Sequence, residues 1–282
     1  MFTKGIQYML LSTFFFSLMN VFVKMIPNIP AVEIVFFRSV ISLVLSYLFL
    51  KAQGVNIWGN RKKYLILRGM SGAIALILYF TTLQAMPLAS AVTIQFLSPI
   101  FTAIMGIYIV KEKVKPLQWI FFLLAFAGVI MIKGFDPRVT PLLFGLGITS
   151  ALFSGLSYNF IRKVKLTEHP LVVVFYFPLV TLPITGVISY FDWVQPIGWE
   201  WMILILIGVL TQFAQYFMTK AYQAEELSKV ASLNYIGIIY ALGLGFVFFG
   251  ELFNAMTYVG MFVMLMGVFL NVWYKNRIAE KV

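Results

Sequence analysis

Apolar stretches of about twenty residues succeed one another along almost the whole chain, separated by short gaps rich in Gly, Pro, Asn and Lys. About 20 mainly apolar residues are what one α-helix needs to cross the hydrocarbon core of a bilayer. Ten segments qualify: 5–26, 31–50, 63–85, 88–110, 116–133, 141–162, 170–191, 199–222, 228–249 and 255–274. The gaps, such as PNIP at 27–30 and GFDPRVTP at 134–141, carry the turn formers that stop one helix and start the next. Runs of strict apolar–polar alternation are missing, which argues against a membrane β-barrel. The pattern predicts an all-α integral membrane protein with ten transmembrane helices.

Composition agrees. Of 282 residues, 61% are hydrophobic and 11% charged, with a mean hydropathy of +0.94, whereas soluble domains are nearer half apolar and a quarter charged. With no cysteine and one histidine, His169, thiol catalysis, thiolate or histidine-rich metal sites and a Ser/His relay are all disfavoured, and no cofactor is called for. The basic residue ahead of the first apolar run resembles a signal peptide, but that run is too long and lacks a small-x-small cleavage site, so it reads as the first span.

The net charge of +11 would suit nucleic acid if it were clustered, but the cations lie in short loops between spans. Sixteen fall at one set of ends, including Lys51, Arg61, Lys62, Lys63, Lys111, Lys113, Lys115, Arg162, Lys163 and Lys165. The opposite ends hold only Lys24, Lys133 and Arg138. The positive-inside bias therefore places both termini in the cytoplasm of a multi-pass protein of the cytoplasmic membrane. The lipid bilayer, not nucleic acid, is the macromolecular partner.

The sequence repeats itself. Setting position 65 on position 204 and keeping that register aligns the two halves without a gap across four spans. LILRG at 65–69 falls on LILIG at 204–208, QAMPLASA at 84–91 on QAEELSKV at 223–230, and Glu112 on Glu251. The duplication divides the chain into a first repeat at 1–133, an external linker at 134–140, a second repeat at 141–275 and a cytoplasmic tail at 276–282. Five spans per half make the second repeat enter from the opposite side. Such inverted repeats are a usual construction of secondary transporters, with the site between them near the midplane.

Several motifs in order carry a family resemblance: PAVEIVFFR early in the second span, RG at 68–69 in the third, SPIF at 98–101, and a Glu closing the fourth and ninth spans. The chain resembles the EamA family of the drug/metabolite transporter superfamily over nearly its whole length. The resemblance implies two inverted five-helix repeats, with spans 5 and 10 peripheral and the others around a central cavity. Members similar to it move amino acids, nucleotide-linked compounds, S-adenosylmethionine and other small metabolites, some inward and some outward.

Charged residues inside spans are the costliest feature, since an ionised side chain at membrane depth costs about 3 to more than 10 kcal/mol. Arg38 lies eight residues beyond Pro30, about 12 Å into the bilayer at 1.5 Å per residue. Glu33 is about 140° away around the same helix and poorly placed to pair with it. Two readings of Arg38 stand: a fork for a substrate carboxylate or phosphate, or a tether to loosened carbonyls or a Tyr or Gln. In a register one position longer than the repeat, Pro178 lies opposite Arg38, and with Pro183 it predicts a broken helix facing the cation; simple packing is the alternative. Arg68, close to a span end, reads first as an interfacial snorkelling residue. Glu112 and Glu251, ill-placed for the helix dipole, are candidate gate latches or plain surface ion pairs. Glu33 is the best available proton carrier.

The uncharged polar residues suggest where a substrate sits. Gln212, Gln215 and Tyr216 share one helical face, which should turn away from lipid. In the repeat register Gln95 falls on Asn234 and Phe96 on Tyr235, so two amides and two aromatics converge about the pseudo-twofold. Asn20 and Tyr158 add to the lining, and Pro99 is a candidate hinge. For any single residue, ordinary interhelical hydrogen bonding is the plain alternative.

Together these features predict a secondary transporter that moves a small carboxylate-bearing or zwitterionic metabolite by alternating access. A co- or counter-transported proton or solute is a candidate coupling partner; exchange and facilitated diffusion fit as well. A channel-like facilitator or a non-transporting scaffold is the alternative class. An intramembrane enzyme lacks its nucleophile and metal set, and no GxxxxGK[ST] loop marks an ATP-driven pump.

Overall fold

A computed structural model describes residues 4–111, 114–164, 166–224 and 235–279. These form eleven helices: α1 (Lys4–Met25), α2 (Ala31–Ala52), α3 (Lys62–Ala85), α4 (Leu88–Gln95), α5 (Ser98–Ile109), α6 (Pro116–Phe135), α7 (Pro141–Val164), α8 (Pro170–Phe191), α9 (Trp199–Ala224), α10 (Ile236–Phe249) and α11 (Ala255–Ala279). Among the described residues nine segments are long and apolar enough to cross a membrane, α4 and α5 together forming one of them. The first part of the predicted ninth span, before Tyr235, lies outside the described residues; α10 is its continuation. The protein is an all-α, multi-pass membrane protein.

Local sequence explains where the helices begin and break. Pro30, Pro87 and Lys115 precede α2, α4 and α6. Pro116 takes the first turn of α6, where a missing N–H costs nothing, and the Gln118 side chain accepts from the Lys115 N–H at 3.0 Å. Gly250, at φ +61°, closes α10 in the left-handed conformation that glycine adopts freely. The fourth span divides at Phe96–Leu97. Pro99 cannot donate to the Gln95 carbonyl, and the Phe96 and Leu97 N–H groups tighten onto Thr93 and Ile94 instead.

The predicted break in the seventh span does not occur. Helix α8 runs without interruption through Pro178 and Pro183. Each proline removes one ladder hydrogen bond, and the rest of a 22-residue helix packed along α2 and α3 holds it together.

The packing repeats under exchange of the halves. Helix α3 packs along α7 as α1 packs along α9; α3 meets α8 as α9 meets α2; α5 lies on α7 as α10 lies on α1. Helices α2 and α8 pair with each other, as do α6 and α11. Glycines repeat as well. A Cβ on Gly69 would stand 2.6 Å from Val180, and one on Gly208 2.6 Å from Ile41. The repeat register sets Gly69 on Gly208 and Ile41 on Val180, so one contact is made twice. A Cβ on Gly267 would stand 2.5 Å from the Ala125 nitrogen, and one on Gly128 would meet the Met264 nitrogen. Without a hydrophobic drive between helices in lipid, such backbone-to-backbone approaches supply the van der Waals contact that holds α6 on α11. Among the described residues that pair makes few contacts with the remaining helices, with α4 and through Phe126 on Phe101 of α5, and sits at the periphery.

Candidate functional site

The deepest charges converge where α2, α3, α8 and α9 meet. Arg38, 5% exposed, donates from Nε to Thr211 Oγ1 at 3.0 Å, and the Thr211 hydroxyl turns on to Met19 Sδ at 3.0 Å. Its guanidinium carbon lies 5.4 Å from the centroid of the Phe177 ring. Arg68 reaches the same ring from α3, at 4.2 Å. It is 8% exposed, so it turns inward instead of snorkelling as its sequence position suggested: this face of α3 packs on α8, not on the membrane surface. Among the described residues, Arg68 Nε and Nη1 have no hydrogen-bond partner. Gly72 makes this approach feasible, since a Cβ there would stand 2.6 Å from Phe177. In the uniform repeat register Arg38 corresponds to Phe177 and Thr211 to Gly72. The true register mate of Arg38 is therefore Phe177, one residue before the Pro178 that the longer register aligns with it.

Polar side chains extend the cluster. Tyr158 lies within electrostatic reach of both Arg68 and Tyr79, and Asn20 Nδ2 donates to the Tyr79 hydroxyl at 3.1 Å. Arg38, Arg68, Tyr158 and Asn20 are thus brought into one region. Phe177, Tyr79 and Gly72 belong to it too, and the sequence reading passed over them. The repeat register already placed Phe177 on Arg38 and Gly72 on Thr211.

The other predicted residues are elsewhere. Both ends of the Gln95 amide are engaged: Nε2 donates to Ser154 Oγ at 2.7 Å, and Oε1 accepts from Ser150 Oγ at 2.9 Å. Phe96 and Tyr235 meet edge to face at 5.2 Å, beside the break between α4 and α5. Gln212 approaches Ser46 at 3.4 Å, while Tyr216 stacks on Phe49 at 6.1 Å, so this face of α9 lies along α2. Gln215 is half-buried on the same helix. Asn234 and Glu112 lie outside the described residues.

Two carboxylates bind neighbouring backbone at helix ends. Glu33, fully buried, accepts from the Val194 N–H at 3.0 Å and ties α2 to the loop before α9. Glu251 accepts from the Leu88 N–H, the start of α4, at 2.8 Å, and pairs with Lys24 at 2.9 Å. Lys24 also donates to the Met86 carbonyl. One carboxylate thereby joins the ends of α1 and α10 and the beginning of α4.

Comparison with known proteins supplies the family. The EamA-like transporter family matches twice, over residues 3–134 and 142–273. The chain belongs to it. The two EamA-like matches fall on each other end to end, 3 on 142 and 134 on 273, in the same register as the paired glycines. The pseudopaline exporter CntI of Pseudomonas aeruginosa (strain UCBPP-PA14) is 32% identical over 260 residues, spanning 91% of this chain and 92% of its own. Human solute carrier family 35 member G1 is 30% identical over 293 residues, 96% of this chain and 80% of its own. One solved crystal structure has a TM-score of 0.67 at 17% identity, covering 98% of this chain and 97% of that one, and speaks for the fold alone. This EamA-like protein is a membrane transporter, not an enzyme.

Proposed function

We propose that the protein is a secondary transporter working by alternating access, with inverted repeats at 1–133 and 141–275 and both termini in the cytoplasm. The substrate is a small carboxylate-bearing or zwitterionic metabolite, and Arg38 receives its anionic group. One observation carries this: Arg38 is buried at membrane depth, with one hydrogen bond, to a neutral hydroxyl, and no ion pair among the described residues. A guanidinium left in that state is costly unless an anion visits it. Asn20 and Tyr158 form the surrounding polar wall.

The Glu251–Lys24–Leu88 contact acts in this reading as the latch on the external face. Glu112, the register mate of Glu251, has the same role on the cytoplasmic face, together with Lys163, the register mate of Lys24. The break before Pro99 gives α4 freedom to move when a latch opens. The named relative that exports pseudopaline supports export of a polar metabolite from the cell as the direction to test first.

The decisive test is counterflow in proteoliposomes. Saturable uptake driven by preloaded substrate is expected from the wild type and absent from Arg38→Ala. Flux that does not saturate would instead favour a channel-like facilitator, and flux untouched by Arg38→Ala would remove the anion contact.

A further inference from the structure

The function above gives a substrate contact to Arg38 alone, and the second buried arginine is left unexplained. Arg38 and Arg68 share one ring, Phe177, at 5.4 and 4.2 Å, and Arg38 lies within electrostatic range of Arg68. A guanidinium presents five N–H donors. Arg38 uses Nε, and Arg68 leaves Nε and Nη1 unmet. The ion pairs formed among the described residues are Lys24–Glu251 and Arg138–Asp136, so no carboxylate there answers either arginine. The aromatic face returns only part of what desolvating each ion costs. Water entering the cluster would satisfy donors, but it would leave two like charges uncompensated side by side. What is missing is negative charge, in two places.

We propose that Arg38 and Arg68 form a two-point site for a small dicarboxylate whose carbon spacer lies against Phe177. The proposal rests on the transport reading and narrows its substrate class. Each planar carboxylate matches one guanidinium fork through paired N–H···O bonds, and the ring between the anchors suits methylene groups. A single phosphate has no carbon spacer to lay against the Phe177 ring. A zwitterion with one carboxylate would place its ammonium group beside the second arginine, where like charges repel. Tyr158, within electrostatic reach of Arg68, is positioned to select among substituents on the spacer. Gly72 is part of the site because only a residue without a side chain lets Phe177 reach Arg68.

The test is a ligand-induced thermal shift of the purified full chain in detergent, titrated separately with succinate, glutarate, butyrate, alanine and inorganic phosphate. A dicarboxylate is expected to bind at least tenfold more tightly than butyrate or alanine. Arg68→Gln should remove that preference, leaving dicarboxylate and monocarboxylate equal, and Arg68→Lys should keep part of it. Where Arg68→Gln fails to fold, the wild type decides alone: glutarate affinity should fall as pH drops through the carboxylate range of about 4–5. The two-point site is overturned if no dicarboxylate stabilises the protein, if butyrate, alanine or phosphate binds as tightly, or if Arg68→Gln keeps the preference. Failure of the broader transport reading looks different: a normal dicarboxylate shift in detergent with no saturable counterflow of any solute in proteoliposomes.

Discussion

Arg38 held by Thr211 and Phe177 seated on Gly72 are the same place in the fold, met twice. The repeat register carries Arg38 onto Phe177 and Gly72 onto Thr211, and both contacts lie between the second helix of one half and the third helix of the other. One copy carries a cation and a hydroxyl, the other a ring and a bare backbone. Further out the contrast reverses: Arg68, Tyr79 and Tyr158, in the copy with the ring, correspond to Ile207, Met218 and Met19 in the copy with the arginine. The scaffold glycines, by comparison, are kept in both halves, Gly69 with Gly208 and Gly128 with Gly267. Helix packing in lipid is satisfied equally by either copy of a small-residue contact. The polar chemistry is not duplicated with the scaffold: each polar side chain of the cluster has an apolar or bare mate, Arg38 and Thr211 in one copy and Arg68, Tyr79 and Tyr158 in the other.

Making the two copies alike should have the largest effect. Arg38→Phe, which gives both sides a ring, is expected to lower saturable flux at least about thirtyfold, consistent with the roughly 2–5 kcal/mol typical of a buried charged hydrogen-bond partner. Phe177→Leu keeps an apolar surface and should reduce flux less than tenfold. Equal losses in the two variants, measured as initial counterflow rates at matched protein density, would show that the halves are functionally equivalent and remove the contrast.

The scaffold should respond in the opposite way, symmetrically. Gly128→Leu and Gly267→Leu each force a side chain into the facing backbone of α6 or α11, where overpacking costs typically about 1–3 kcal/mol. Their melting temperatures in detergent should fall by similar amounts. A fall in one only would mean that the glycine register is a coincidence of composition.

How much of this could be read beforehand depends on what each inference needs. Hydrophobic length is a property of the chain itself, so the all-α membrane fold and the nine spans among the described residues were legible. Arg38 stood out because a charge in an apolar run is conspicuous in any register. Partner choice was less accessible. In an apolar interior every amide takes whichever donor or acceptor the packing offers, and Gln95 takes Ser150 and Ser154 from α7, a pairing that no spacing rule predicts. Phe177 was hidden for another reason. One ring among many aromatics carries no signal until its neighbours are known, and a register one position too long put Pro178 in its place. The unbroken α8 shows the matching limit of local rules: a proline removes one hydrogen bond, and tertiary packing decides whether the helix notices.

The latch predicts a smaller, directional effect. Glu251→Gln retains an acceptor for the Leu88 N–H but loses the Lys24 charge pairing. Because the chain has no cysteine, a single Cys placed at the 2%-exposed Met86 reports on opening without background. In that background Glu251→Gln should speed labelling by a membrane-impermeant thiol reagent several-fold while the melting temperature shifts little. Unchanged labelling would reduce the contact to a packing detail of the adjoining ends of α1, α4 and α10.

The smallest effect should come from an aromatic pair whose members are register mates and touch each other, Phe96 and Tyr235. They meet edge to face at 5.2 Å beside the α4–α5 break, and a Cβ on Gly237 would stand 3.2 Å from the Phe96 ring. Such pairs are worth about 0.5–1.5 kcal/mol beyond their burial. If they brace the break, Phe96→Leu lowers the melting temperature slightly and leaves flux within about tenfold, since that amount corresponds to about one decade at most. If they instead form a stacking platform for substrate, the same variant would reduce flux far more than stability. Measuring both on one preparation separates the roles. A large loss of flux at unchanged stability would move the binding site from the arginine cluster to the pseudo-axis between α4 and α10, where the two halves are chemically most alike.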